Sequence, residues 1–173
     1  SEIHPYTNLH LGGGEAKYLP SDVISLSKHA NIPNVEQLAG QIFISNITKA
    51  NDHVRQYAGG LILRDHTHSD FCVGSTTSDK PALFSLLKSH FQIKNIVTIR
   101  NPVDCYLSLV KNNWKHFTPF CFEEYCKRFI EMTTCYNKCD IYRYEDFVKD
   151  PSVVMQQMCH SLDLPYSSYF IDI

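Results

Sequence analysis

An arginine and a serine eight residues apart are the side chains in this sequence whose types and spacing fit a definite chemistry. They are Arg100 and Ser108, in the stretch RNPVDCYLS. An arginine fork can clamp a phosphate or sulfate group, and a hydroxyl on the same flank can donate to another oxygen of that anion. The pair therefore predicts a site for a phosphate or sulfate group.

The residues around this pair predict the elements that position it. The β-branched run 95–99 indicates a buried strand, which Pro102 ends because proline lacks the N–H that a central strand donates. Asn101 suits a helix N-cap, and Pro102 suits the first helical position. Apolar residues then recur on one helix face: Val103, Leu107 and Val110. Arg100 thus ends a strand beside a helix N-terminus, where backbone N–H groups and the helix dipole favour an anion.

The rest of the chain alternates apolar runs with helix patterns, which predicts an α/β fold with a parallel sheet flanked by helices. Further strands are expected at 61–65 and 140–144. Helices are expected after Asn34 in two stretches, from the Asp79-Lys80-Pro81 opening to Phe91, over 122–136, and after Asp150 with Pro151 at its first position. Three strands make a thin sheet. We therefore expect a further strand either upstream of this sequence or within its loop-rich first 33 residues.

Composition bounds the class of protein. The 173 residues with 43% hydrophobic content predict a single domain, 1–173. Lys and Arg total 16 against 18 Asp and Glu, a net charge of -2 that gives no overall attraction for nucleic acid or an anionic membrane. No apolar run approaches the roughly 20 residues that span a bilayer, and no signal-peptide pattern opens the chain. We expect a soluble, cytoplasmic protein.

Seven cysteines without C-x-x-C spacing favour free thiols over a disulfide framework or a zinc knuckle. Four of them are close enough in sequence to leave a metal site or disulfide pairing open: Cys121, Cys126, Cys135 and Cys139.

The segment RNPVDCYLS resembles the 3′-phosphate-binding motif of the sulfotransferases that use 3′-phosphoadenosine 5′-phosphosulfate. In that motif a strand is followed by Arg-Asn-Pro, any residue, Asp, and a Ser eight residues after the Arg. The resemblance implies that Arg100 and Ser108 bind the 3′-phosphate of the nucleotide co-substrate. It also implies a P-loop NTPase-like fold, transfer of a sulfuryl group to an acceptor hydroxyl, and no metal.

Two further segments are similar to the same family, in the same order along the chain. LILRDHTHSDF, 61–71, is similar to the strand that carries a basic residue and, two positions later, the catalytic base. The resemblance implies Arg64 and His66 in those roles, with Arg64 standing where the family usually has Lys. His68 competes with His66, since alternate residues of an extended segment share a face. Segment 141–165 resembles the late strand, the Tyr-Glu-Asp turn and the following helix, with Glu145 and Asp146 in structural roles.

The family's loop for the 5′-phosphosulfate has no counterpart in this sequence. GGGEAK, 12–17, lacks a preceding buried strand and the G-x-x-x-x-G-K-[ST] spacing, so we expect a plain loop there. Because the sequence also starts at Ser1 without a methionine, we expect an N-terminally truncated fold that is inactive alone. Residues 1–58 would then form a loop and helical region on the acceptor side, and 59–173 the core with the 3′-phosphate site. If a longer form of the protein carries a membrane anchor, the Golgi lumen is the expected location instead of the cytoplasm.

Two alternatives stay open. One is a non-catalytic domain that binds an anion or a nucleotide. The other is a metallo-β-lactamase-like zinc hydrolase, because HTHSDF matches most of the H-x-H-x-D-H signature and offers His66, His68 and Asp70 as ligands. Phe71 stands where that signature has its final His. The acceptor is equally open among a carbohydrate, a small alcohol or phenol, a lipid and a protein tyrosine.

Overall fold

A computed structural model describes residues 2–3, 24, 27–28 and 30–172 of the chain. It is a mixed α/β protein whose chain divides into two compact units, Ser1–Asp70 with Lys80–Phe91, and Phe71–Asp79 with Gln92–Ile173. The expected loop at GGGEAK, 12–17, lies outside the described residues. The single domain 1–173, with its division at residue 58, stays a prediction.

In the part of the first unit that the structure describes, bounds are defined for one long helix, two short helices and a parallel pair of two-residue strands. In chain order these elements are β1 (Glu2–Ile3), α1 (Val35–Arg55), β2 (Arg64–Asp65), α2 (Thr67–Phe71, whose last residue belongs to the second unit) and α3 (Ala82–Leu87). Glu2 pairs with Arg64 and Ile3 with Asp65. A strand therefore does lie within the first 33 residues, one of the two possibilities that the sequence left open.

Helix α1 is continuous, although two helical stretches were expected. No proline interrupts it, and its one glycine, Gly40, is buried within the helix. The helix begins after Asn34, as predicted, but Asn34 has a left-handed backbone (φ 56°) and its side chain makes no capping hydrogen bond.

The prediction of a buried strand over 61–65 is wrong for most of its length. Only Arg64 and Asp65 are in β2, and the Ile62 side chain is 71% exposed. A strand exists only where a partner supplies hydrogen bonds, and β1 pairs with these two residues alone.

Helix α3 begins later and ends earlier than the sequence suggested. Its first residue is Ala82, and the Ala82 N–H donates to Asp70 Oδ2 at 2.8 Å. Asp70 is buried and caps this helix from 12 residues upstream. The helix ends at Leu87, so Phe91 lies beyond it, and its buried residues are Leu83 and Leu87.

The second unit is built on a parallel pair of four-residue strands. Strand β3 (Ile96–Ile99) pairs with β4 (Asp140–Arg143), with Ile96 opposite Asp140 and Ile99 opposite Arg143. The described strands thus form two separate pairs rather than one three-stranded sheet. The helices of this unit are α4 (Pro102–Lys111), α5 (Phe122–Cys135), α6 (Tyr144–Lys149) and α7 (Pro151–Ser161), followed by a 3₁₀ helix at Ser168–Asp172.

Two helix starts in this unit confirm the predicted caps. Asn101 Oδ1 accepts the Val103 N–H at 2.9 Å, with Pro102 at the first helical position. Asp150 Oδ1 likewise accepts the Val153 N–H at 3.1 Å, with Pro151 first in the helix. Both caps follow from short-range sequence, because the side chain satisfies N–H groups two or three residues away.

Two apolar clusters form the core of the second unit. One joins β3 to the end of α5 through Val97, Phe71 and Tyr136. The other joins α4 to α5 through Leu109, Phe117 and Tyr125. On β4, Tyr142 bonds through its hydroxyl with Ser161 Oγ of α7 at 2.8 Å. Helices therefore support both β3 and α4, the two elements next to Arg100.

Helix α4 buries a different face from its most regular apolar stripe. Its buried residue is Leu109, and the aromatic cluster also contacts Cys105 and Tyr106. The stripe residues Val103, Leu107 and Val110 are between 46% and 57% exposed. Periodicity predicted the helix correctly but could not show which face packs.

The seven cysteines are free thiols and each is partly buried. Burial raises the pKa of Cys72 to about 11, so this thiol is protonated at neutral pH and is a poor nucleophile. Within the described part of the chain, no three His, Cys, Asp or Glu side chains form a group that could hold a metal ion. No helix in that part combines the length and the apolar character needed to cross a membrane.

Candidate anion-binding site

Arg100 lies directly after β3, at the carboxyl end of the strand pair. Because Ile99 is opposite Arg143, the next residues, Arg100 and Tyr144, are neighbours across this edge. The Arg100 guanidinium carbon lies 5.5 Å from the centre of the Tyr144 ring, and Nη2 lies 3.8 Å from Asp104 Oδ2. The Arg100 side chain is 48% exposed. Its guanidinium is thus oriented by an aromatic face and remains open to a ligand.

Glu145 holds the turn between β3 and α4. Its Oε1 accepts the Asn101 N–H at 2.7 Å, and its Oε2 lies 3.7 Å from Arg143 Nε. Hydrogen bonds from the backbone N–H groups of Asn101 and of Glu145 itself, helped by Arg143 and Arg100, hold the pKa of Glu145 below its usual range. The structural role predicted for Glu145 is confirmed.

The charges at this edge are nearly balanced. Arg100 and Arg143 stand against Asp104 and Glu145. An anion would therefore bind through directed N–H donors of a guanidinium, rather than through an excess of positive charge. Each arginine has a carboxylate oxygen nearby, at 3.8 Å for Arg100 and 3.7 Å for Arg143, and Arg100 also lies beside the Tyr144 ring.

Ser108 lies two turns into α4 and is partly buried. Its hydroxyl oxygen lies 3.3 Å from Asn112 Nδ2, and its backbone oxygen lies 2.8 Å from the same nitrogen. Arg100 and Ser108 belong to one continuous strand-helix segment, as the sequence predicted. Their shared role in binding a phosphate stays a prediction.

Arg64 and His66 lie in the first unit. Arg64 is in β2 and exposed, and His66 follows β2, where its backbone oxygen accepts the Ser69 N–H at 3.0 Å. The centres of the His66 and His68 rings are 6.1 Å apart. The argument that these histidines share a face of an extended segment is wrong, because Thr67–Phe71 is helical. Which of them acts as a base stays a prediction.

The zinc alternative gains no support from this region. Asp70, its proposed carboxylate ligand, directs Oδ2 to the Ala82 N–H. Three other histidines that could be considered as further ligands do not lie at strand ends. His90 is in the turn after α3, His116 is in the loop before Phe117, and His160 is in α7.

Sequence reasoning missed Tyr144, Asp104 and Asn112 as neighbours of the candidate residues. The signals were present in two cases, since Asp104 and Asn112 lie four residues after Arg100 and Ser108, the spacing of contacts along a helix. Tyr144 could be found only from the register of β3 with β4, which the sequence does not give.

Comparisons with protein-family models, with curated proteins and with solved structures give no match for this chain. The likeness to sulfotransferases therefore rests on the three motif segments.

Proposed function

We propose that this chain is part of a sulfotransferase that moves a sulfuryl group from 3′-phosphoadenosine 5′-phosphosulfate to an acceptor hydroxyl. The observation that carries the proposal is the position of Arg100. It follows a parallel strand, precedes a helix that Asn101 caps and that begins at Pro102, and keeps its guanidinium half-exposed. In this setting the guanidinium is better suited to binding a phosphate than to forming a surface ion pair.

Each candidate residue has its own role in the proposed reaction. Arg100 and Ser108 bind the 3′-phosphate. His66 takes the proton of the acceptor hydroxyl as the acceptor oxygen bonds to sulfur. The bond from sulfur to the bridging phosphate oxygen breaks, and adenosine 3′,5′-bisphosphate leaves. Arg64 stabilises the charge that grows on that leaving oxygen.

Replacing His66 by alanine in a form of the protein that turns over labelled donor tests the catalytic half of this proposal. A general base contributes a factor of about 100 to 10,000, so turnover of labelled donor should fall by at least about 100-fold. Affinity for adenosine 3′,5′-bisphosphate should stay nearly unchanged, because the base acts on the acceptor. His68→Ala is the matched control, and its loss of turnover should be smaller than that of His66→Ala.

Three results would overturn the assignment or the proposal. An inactive His68→Ala variant beside an active His66→Ala variant would exchange the two histidines. Tight nucleotide binding without transfer to any acceptor in a mixed panel of hydroxyl compounds would favour the non-catalytic binding domain. Stoichiometric zinc in the purified protein would favour the hydrolase.

A further inference from the structure

We infer that Asn112 is a positioning residue for the anion site: its amide fixes the Ser108 hydroxyl as a hydrogen-bond donor to a bound phosphate. This inference rests on the proposed function and extends it to a residue outside the motif. Asn112 is the C-cap residue of α4, four residues after Ser108, and its side chain is directed back over the last turn.

The contacts of Asn112 determine which way its amide group faces. Its side chain lies 2.8 Å from the Ser108 backbone oxygen, which can only accept a hydrogen bond. The atom at that distance must therefore be the amide nitrogen. The same nitrogen lies 3.3 Å from Ser108 Oγ, so it donates to the hydroxyl oxygen as well.

This contact fixes the polarity of the Ser108 hydroxyl. A serine hydroxyl has one proton and two acceptor positions, and the Asn112 amide occupies one of the acceptor positions. A serine inside a helix often donates its proton to the backbone oxygen four residues earlier. Among the residues that the structure describes, Ser108 Oγ has Asn112 Nδ2 as its one hydrogen-bond partner. The proton is left for an external acceptor, as an ionised phosphate requires.

Replacing Asn112 by aspartate reverses this polarity, because a carboxylate accepts the Ser108 proton instead of donating to the oxygen. The probe is adenosine 3′,5′-bisphosphate, with adenosine 5′-monophosphate as the ligand that lacks the 3′-phosphate. Calorimetry should show bisphosphate affinity about three- to tenfold weaker in Asn112→Asp, the equivalent of one hydrogen bond. Affinity for the monophosphate should be unchanged.

Two controls separate this role from added charge and from damage to the helix. Asn113→Asp adds the same charge at an exposed neighbour whose φ of 57° suits aspartate, and should change affinity by no more than about twofold. In a Ser108→Ala background, Asn112→Asp should change affinity by no more than the same twofold, because only the added charge remains. Asn112→Ala removes the donor without adding charge, and circular dichroism confirms that each variant keeps its helices.

The outcomes distinguish this inference from the proposed function. Equal effects of Asn112→Asp with and without Ser108, or equal effects of Asn112→Asp and Asn113→Asp, would overturn the inference alone. Bisphosphate binding that depends on Arg100 but not on Asn112 would do the same. Failure of the unaltered protein to prefer the bisphosphate over the monophosphate would overturn the binding half of the proposed function and the inference with it.

Discussion

The candidate site depends on how single charged groups are held. The half-exposed Arg100 guanidinium lies over the Tyr144 ring, while the carboxylate of Glu145 ties the backbone of Asn101 to the neighbouring segment. The negative charge of Glu145 opposes a bound anion, yet the same group stabilises the turn that presents Arg100. Charge and hydrogen bonding at residue 145 therefore have opposite effects on phosphate binding.

Glu145 should contribute a pH-dependent part of the stability. Because its pKa is lowered on folding, the ionised form stabilises the protein above the unfolded pKa, and this stabilisation disappears as pH falls through the lower folded pKa. The difference in Tm between the unaltered protein and Glu145→Gln should be constant from about pH 8 to pH 6 and shrink below about pH 4. A difference that does not depend on pH would contradict this account.

At the scale of elements, one buried arginine joins three parts of the second unit. Arg128 of α5 is 0% exposed, and its Nε lies 2.7 Å from Glu124 Oε1. Its two terminal nitrogens donate to the backbone oxygens of Phe71 and Gly74, each at 3.1 Å, and its guanidinium carbon lies 5.0 Å from the Phe117 ring centre. Each of the three guanidinium nitrogens has a hydrogen-bond partner, and Glu124 compensates the buried charge.

Replacing Arg128 by methionine should destabilise the protein by about 3–5 kcal/mol, because Glu124 and two backbone oxygens lose their buried partner. Urea unfolding measures the loss. Lys127→Met is the matched control, since Lys127 is exposed and should change the free energy of unfolding by no more than about 0.5 kcal/mol. Similar unfolding midpoints for the two variants would show that Arg128 does not support this unit.

Local signals predicted some elements well and others poorly, for a physical reason. The caps at Asn101 and Asp150 are satisfied within a few residues, so the sequence was sufficient to predict them. The cap of α3 comes from Asp70, and the limits of β2 depend on β1, so both needed the fold. Burial of Arg128 was hidden for the same reason: Glu124 is four residues away, but the backbone oxygens that satisfy the rest of its guanidinium are 54 and 57 residues away.

The candidate site was predictable to a similar extent. The position of Arg100 between a strand and a capped helix follows from the pattern of residues 95–102, and the structure has that arrangement. The Tyr144 contact and the buried face of α4 depend on packing between segments that are distant in sequence. Those features could not be inferred from periodicity.

At the scale of the whole molecule, the net charge of -2 decides how an anion must be attracted. A slightly acidic protein has no general field to collect nucleotides, so any affinity must come from a local set of donors. Removing one exposed arginine elsewhere should then change the affinity for the nucleotide little, whereas removing Arg100 should weaken that affinity strongly. Arg55, at the end of α1, is exposed and supplies that comparison.

The most direct measurement of the central claim is calorimetric titration of the chain with adenosine 3′,5′-bisphosphate and with adenosine 5′-monophosphate. Arg100→Ala should weaken bisphosphate binding by about 1.5–3 kcal/mol, roughly 10- to 150-fold, and Ser108→Ala should weaken it less. Arg55→Ala removes the same charge and should stay within about twofold of the unaltered protein. Equal bisphosphate affinity in the Arg100→Ala variant and the unaltered protein would contradict a 3′-phosphate site at Arg100.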